Sequence, residues 1–200
     1  DITLKTIPKA KVKSSSEFLS PGHRACAGCT ASLVMRHVLD VVGKKAQIAL
    51  PASCWSIISG PNPYTPVRVP LVHCPFETAA AVASGLKRAS IGLQSDVIPI
   101  AFAGDGGTFD IGLQALSGAA ERGEDIIYIC YDNEAYMNTG GQRSSSTPRG
   151  AITETTPLPA GKTHAKKNTR NLKKRFWAIC RQYLSIPSFI SMLCLQTSKA

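Results

Sequence analysis

Residues 96–103, DVIPIAFA, run directly into Gly104-Asp105-Gly106-Gly107, and residues 125–131, DIIYICY, run into Asp132-Asn133. Each apolar stretch is continuous rather than alternating, which is the pattern of a strand covered on both faces of a parallel sheet. Between them Phe109, Leu113, Leu116 and Ala120 fall on one helical face, and Gly123 closes that segment. A strand–loop–helix–strand unit predicts an α/β fold with a doubly wound, mostly parallel sheet. In such sheets ligands collect outside the carboxyl ends of the strands, where Asp105 and Asn133 both stand. Gly104, Gly106 and Gly107 let the backbone approach a phosphate, and the next helix turns its N-terminus toward it. A carboxylate and an amide oxygen, with a backbone carbonyl nearby, are hard ligands suited to Mg²⁺.

Toward the N-terminus, Phe76–Ala89 is alanine-rich and reads as a helix, and Ala46–Leu50 as a short buried strand. Pro51–Pro70, rich in Pro, Ser and Gly, reads as a loop carrying Cys54. Ala31–Val42 has Leu33, Val34, Val38 and Val41 at helical spacing, with Gly43 as its stop. Ahead of it lie the turn Pro21-Gly22 and the close pair Cys26-Ala-Gly-Cys29. There is no internal repeat. The chain divides into a polar arm (1–16), one domain (17–168) and a basic tail (169–200).

The tail accounts for the net charge of +10: residues 161–200 hold nine of the 23 basic residues and no acidic one. The remaining 14 basic residues face 13 acidic ones, so the body is nearly neutral and charge supplies no argument for a nucleic-acid partner. The uncharged run Gln182–Ser198 is interrupted by Pro187 and polar residues, so no membrane partner is expected. Seven cysteines, an odd number without a secretory leader, suggest a reducing, cytoplasmic setting in which close-set thiols hold metal or a cluster. Cys26 and Cys29 by themselves fit zinc, a redox dithiol or an iron–sulfur cluster, with Cys54 a third candidate ligand. Cys130, in mid-strand, and Cys74 read as core-filling thiols, and His23 and His73 as structural hydrogen-bonding residues.

Four stretches together resemble the β subunit of the pyruvate:ferredoxin oxidoreductases, in the 2-oxoacid:ferredoxin oxidoreductase family. They are GDGGTFDIGLQALSGAAERGEDIIYICYDNEAYMNTGGQRSSSTPRGA (104–151), PGHRACAGC (21–29), the Cys54 loop with its PNPYT, and FETAAAVASG (76–85). Gly-Asp-Gly, 26 residues and then Asn is similar to the signature of thiamin-diphosphate enzymes. The resemblance implies their fold, with thiamin diphosphate, Mg²⁺ and a [4Fe–4S] cluster. Asp105, the Asn133 side chain and the Ala135 carbonyl would hold Mg²⁺, and Gly104, Gly106 and Thr139 would line the cofactor. Asn138 would lie beside cofactor and substrate as the catalytic residue, with 139–142 shaping the loop. Cys26, Cys29 and Cys54 would ligate the cluster, the latter two also bordering the cofactor.

The implied reaction is oxidative decarboxylation of pyruvate to acetyl-CoA and CO₂, with electrons leaving through the cluster to ferredoxin. The implied partners are α-, γ- and δ-type subunits, ferredoxin and coenzyme A. The carboxylate that activates thiamin would come from the α subunit, leaving this chain inactive alone. Branched-chain 2-oxoacids are the alternative substrates. A cluster-free thiamin decarboxylase and a catalytically incompetent fragment are the alternative functions. After Asn168 the resemblance stops, which suggests a truncated or frame-altered tail; Cys180 or Cys194 would then be the remaining sources of a fourth thiolate.

Overall fold

The computed structural model describes residues 18–148 and 150–157, and the backbone course of 190–196. The N-terminal arm, most of the basic tail and Cys180 lie outside the described residues. In chain order the elements are α1 (Thr30–Val42), β1 (Ala46–Pro51), α2 (Cys54–Ser59), β2 (Leu71–Cys74), α3 (Ala79–Gly92) and β3 (Ile98–Gly104). A π-helical turn (Gly106–Asp110), α4 (Leu113–Glu121), β4 (Ile126–Asp132), β5 (Ala135–Tyr136), β6 (Gln142–Arg143) and β7 (Ile190–Gln196) follow.

Five strands form one sheet in the order β2-β1-β3-β4-β7. Every pairing in it is parallel. β5 and β6 form a separate antiparallel hairpin. The chain leaves β1 for β2 on one side and returns to β3 on the other, so the strand order reverses between β1 and β3. Crevices for ligands open at such reversals.

The strand runs are continuous because both faces are covered, and β3 divides its residues by size, Ile98, Ile100 and Phe102 on one face and Ala101 and Ala103 on the other. Ile48, Leu50, Ile100, Phe102, Ile129 and Tyr131 join Met35, Leu39 and Trp55 in the core on the α1 side. Ala49, Ala101, Ala103, Tyr128 and Cys130 face the other way, against Ala79, Ala80 and Ala83 of α3 and Leu116 and Ala119 of α4. An alanine stripe on a helix against an alanine stripe on the strands lets α3 approach closely without leaving voids. Buried Glu124 meets Arg88 of α3 at 3.0 Å and Arg122 at 3.1 Å, tying both helices to the start of β4.

Several expectations change. α1 buries Ala31, Met35 and Leu39, while Leu33 and Val41 are exposed. Sidedness depended on where the sheet lies, and the run supports two overlapping apolar stripes. Cys54 opens a short helix instead of sitting in a loop, because Ser53 and Ser56 form a reciprocal capping box. Ala119 replaces Ala120 on the buried face of α4, since the π-helical turn makes the helix start afresh at Leu113. Cys130 is buried as expected, but Cys74 ends the edge strand β2, half-buried and outside both cores. Part of the tail, β7, pairs with β4 from Ile126↔Ile190 to Asp132↔Gln196. ISMLCLQ is an uncharged, mostly apolar run of strand length, a signal masked by the lack of clean periodicity in the tail's sequence. Among the described residues no helix is long and apolar enough to cross a membrane.

Candidate functional site

Three oxygens meet off the carboxyl ends of β3 and β4. Asp105 directly follows β3 and is 3% exposed, Asn133 directly follows β4, and Ala135 opens β5. Between the last two, Glu134 has φ +65°, a left-handed conformation that costs a non-glycine residue roughly 1–2 kcal/mol. That single residue turns the chain so that the Asn133 side chain and the Ala135 carbonyl face one point. The Glu134 N–H donates to Asp132 Oδ1 at 3.2 Å, and Thr147 Oγ1 donates to the Glu134 carbonyl at 2.5 Å. These bonds hold the strained residue in place.

The inward arm of the Asn133 amide lies 2.7 Å from the Ala135 carbonyl oxygen and 3.1 Å from Asp105 Oδ1. With nitrogen there, the amide donates to both. With oxygen there, three acceptors surround one point and the NH₂ turns outward, 3.5 Å from Cys54 Sγ. Three acceptors repel unless a cation sits among them. Mg²⁺ holds its oxygens at about 2.0–2.1 Å in an octahedron, which sets neighbouring oxygens about 3 Å apart. The observed spacings match that edge, so the donor set fits a hard divalent cation. Burial pushes the Asp105 carboxyl up to about 7; Ser144 Oγ, 2.5 Å from Oδ2, works against that rise and Asp132 adds to it.

Over the oxygens opens a cavity of about 320 Å³. Its walls come from Ser53, Cys54 and Ile57 after β1, residues 104–107 after β3, and Met137, Asn138 and Thr139 of the β5–β6 hairpin. Asn138 is exposed at the rim, its Oδ1 3.8 Å from Cys54 Sγ. Thr139 and Gln142 close the hairpin on each other, the Gln142 side-chain N–H donating to the Thr139 carbonyl at 2.7 Å. Gly106 is required by close approach: a Cβ there would overlap the Tyr136 ring, whose hydroxyl donates to Asp110 at 2.5 Å. Gly106→Ala should therefore break that bond or push the turn aside, costing about 1–3 kcal/mol. Thermal melting of the cofactor-free variant checks this, and an unchanged midpoint would mean that the ring swings away freely.

Of the three candidate cluster cysteines Cys54 lines this cavity, Cys29 stands against its wall residue Tyr131, and Cys26 is not part of the lining. Gly28, at φ +74°, permits the turn in which the Cys29 N–H donates to the Cys26 carbonyl at 3.0 Å. Cys26 is exposed, and Cys29 and Cys54 are half-buried. Cys29 Sγ lies 3.9 Å from the Tyr131 hydroxyl, and burial together with Cys29 pushes that phenol up to about 12. Burial, then the neighbouring Cys29, raises the Cys54 thiol, while its hydrogen bonds with Asn138 and Asn133 act in the opposite direction. Among the described residues no three His, Cys, Asp or Glu side chains converge to hold one metal ion. A cubane cluster asks something different of its thiolates, because each binds a separate iron. His73 Nε2 stands 3.2 Å from the Gly60 carbonyl oxygen, and His23 Nδ1 accepts from the Ala25 N–H at 3.4 Å, both in structural roles.

Sequence reasoning missed the supports beneath these groups. Ser144, Ser145 and Ser146 each hold a different carboxylate: Asp105, Asp110 and Asp132 respectively. Three consecutive hydroxyls downstream of the motif were the available signal. Trp55 was missed as well: fully buried, it donates Nε1–H to the Ala103 carbonyl at 2.9 Å and anchors the helix that Cys54 opens.

Residues 53–183 match the C-terminal TPP-binding domain of the thiamine pyrophosphate enzymes. The chain belongs to that family. It is 57% identical over 156 residues to the pyruvate synthase subunit PorB of Methanothermobacter thermautotrophicus, covering 76% of this chain and 54% of that protein. With the ketoisovalerate oxidoreductase subunit VorB of Pyrococcus furiosus it shares 52% over 154 residues, 74% of this chain and 49% of the relative. This thiamine pyrophosphate enzyme chain thus spans about half the length of the curated relatives it matches. A solved 2-oxoglutarate:ferredoxin oxidoreductase from Magnetococcus marinus, with 2-oxoglutarate, coenzyme A and succinyl-CoA bound, has the same fold. Its TM-score is 0.62 at 19% identity, over 92% of this chain and 68% of that one.

Proposed function

We propose that the chain is the thiamin-diphosphate-binding β subunit of a 2-oxoacid:ferredoxin oxidoreductase that acts on pyruvate. The observation that carries this reading is the Asn133 amide, which stands between the Asp105–Ala135 oxygens on one side and Cys54 on the other. A diphosphate-bound cation and a cluster thiolate would thereby share one cavity mouth. Asp105, Asn133 and the Ala135 carbonyl would hold Mg²⁺. Cys26, Cys29 and Cys54 would supply three of the cluster's thiolates, the fourth being unassigned. Thiamin diphosphate, when bound, supplies the C2 nucleophile and the electron sink for decarboxylation.

The chain's own residues bind and orient. Residues 104–107 would admit the diphosphate, Tyr136 and the hairpin would shield it from water, and Asn138 at the rim would meet the substrate. α-, γ- and δ-type subunits complete the enzyme, with coenzyme A as acyl acceptor and ferredoxin as electron acceptor. The names of the relatives favour pyruvate and also keep branched 2-oxoacids in view, since PorB and VorB proteins match at similar identity.

The test is to express the chain anaerobically with its partner subunits, determine iron, and follow 2-oxoacid-dependent ferredoxin reduction. The expected result is iron in the complex and reduction faster with pyruvate than with 3-methyl-2-oxobutanoate, requiring coenzyme A, thiamin diphosphate and Mg²⁺. Thiamin binding without iron would instead favour a cluster-free decarboxylase, and a preference for the branched substrate would move the chain to that specificity.

A further inference from the structure

One arm of the Asn133 amide sits 2.7 Å from the Ala135 carbonyl oxygen and 3.1 Å from Asp105 Oδ1; the other sits 3.5 Å from Cys54 Sγ. A side-chain amide has one acceptor end and one donor end, so whichever faces the oxygens decides what faces the sulfur. With no cation, the inward position is ringed by acceptors and favours NH₂, which hydrogen-bonds both; the amide oxygen is then left toward Cys54. A divalent cation reverses the preference, because N–H hydrogens carry positive charge and Oδ1 is a ligand. The NH₂ is then delivered to the sulfur. The exchange is a half-turn about a terminal torsion that is broad and roughly two-fold, and it needs no backbone movement.

We propose that the Asn133 amide is a switch by which a divalent cation between Asp105 and the Ala135 carbonyl turns an N–H donor onto Cys54 Sγ. The inference rests on the reading of Cys54 as a cluster ligand and deepens it. A hydrogen bond to a cluster thiolate favours the reduced cluster, whose extra negative charge is partly on sulfur, and hydrogen bonds to the sulfurs are among the levers that set cluster potentials. Half-burial of Cys54 strengthens the effect by keeping water from competing. The cluster therefore becomes a better electron acceptor when the cation is in place. By linkage, the reduced cluster holds the cation more tightly than the oxidised one.

The experiment uses the anaerobic complex of this chain with its partner subunits. The midpoint potential of the cluster is measured after stripping with EDTA and again after loading with Mg²⁺ and thiamin diphosphate. The wild type should shift upward on loading. Asn133→Asp keeps an oxygen for the cation and has no N–H, so at equal cofactor occupancy, set by fluorescence-quenching titration of each protein, it should show no such hydrogen-bond-driven rise. Equal shifts in both proteins would assign the effect to the cation's charge and overturn the switch.

A second readout needs only the wild type. Resonance Raman bands of the iron–cysteine sulfur bonds should move more in D₂O in the loaded state than in the stripped state, where the Tyr131 hydroxyl beside Cys29 Sγ already contributes an exchangeable donor. Equal D₂O shifts in the two states would also overturn the inference. Iron and cofactor analysis comes first: a complex lacking either would overturn the functional reading, and the switch with it, and is thereby distinguished from a loaded complex that fails to shift.

Discussion

Asp105→Asn should make the cofactor-free protein more stable near neutral pH while removing its Mg²⁺-dependent affinity for thiamin diphosphate. The folded carboxyl is pushed by burial from an ordinary 3.8 up to about 7. Between those values the folded state keeps a proton that the unfolded chain has released. Stability of the metal-free protein must then fall as pH rises through that window, by something on the order of a few kcal/mol. Asparagine does not titrate, so the variant in EDTA should show little of that slope, match the wild type near pH 4, and exceed it above pH 7. Its amide can donate to Ser144 Oγ, so the hydroxyl that now donates to Asp105 at 2.5 Å keeps a partner.

The same substitution removes the one formal negative charge among the three converging oxygens. Losing mere supporting partners of metal ligands costs 10–100-fold in affinity, so roughly a hundredfold or more is expected here. Denaturation in EDTA from pH 4 to 8 and titration with thiamin diphosphate in Mg²⁺ check the two halves separately. A wild-type slope in the variant would remove the buried charge from the account, and unchanged cofactor affinity would remove Asp105 from the site.

Trp55→Ala should be the most damaging core substitution, costing about 3–5 kcal/mol out of a typical total of 5–15 kcal/mol. The side chain is fully buried, its ring centroid 4.9 Å from that of Phe102 and 5.5 Å from that of Tyr131, and its N–H donates to the Ala103 carbonyl. It follows Cys54 directly, so the variant should also hold less iron when prepared anaerobically with its partners. Trp55→Phe separates packing from hydrogen bonding: it keeps a ring and gives up one donor, for a loss of about 1 kcal/mol. Urea unfolding measures both variants. Equal losses for Phe and Ala would mean that the Ala103 bond, not the aromatic contacts, carries the anchor.

The tertiary structure explains why some residues were legible from sequence and others were not. β3 and β4 were legible because strands covered on both faces show as unbroken apolar runs, and Asp105 and Asn133 because parallel sheets collect polar ends. α2 was not, since a six-residue helix inside a Pro- and Ser-rich stretch has too few positions to display a period. The buried side of α1 was not either, because two stripes of similar hydrophobicity compete and the choice falls to the strands beneath.

Local order along the chain thus determined the parallel α/β sheet, the glycine-flanked carboxylate at the end of one strand and the amide at the end of the next. Those features are written in runs and periods that a single segment carries. Tertiary structure alone decided that Ser144, Ser145 and Ser146 brace three separate carboxylates, that Tyr136 lies over Gly106, and that one Asn133 amide faces both Asp105 and Cys54. Asn133 and Cys54 are 79 residues apart and Ser144 and Asp105 are 39 apart. No periodicity spans such distances; Cys54 and Asn133 meet because β1 and β4 lie in one parallel sheet with their carboxyl ends at one edge, and Ser144 reaches Asp105 from the β5–β6 hairpin that follows β4.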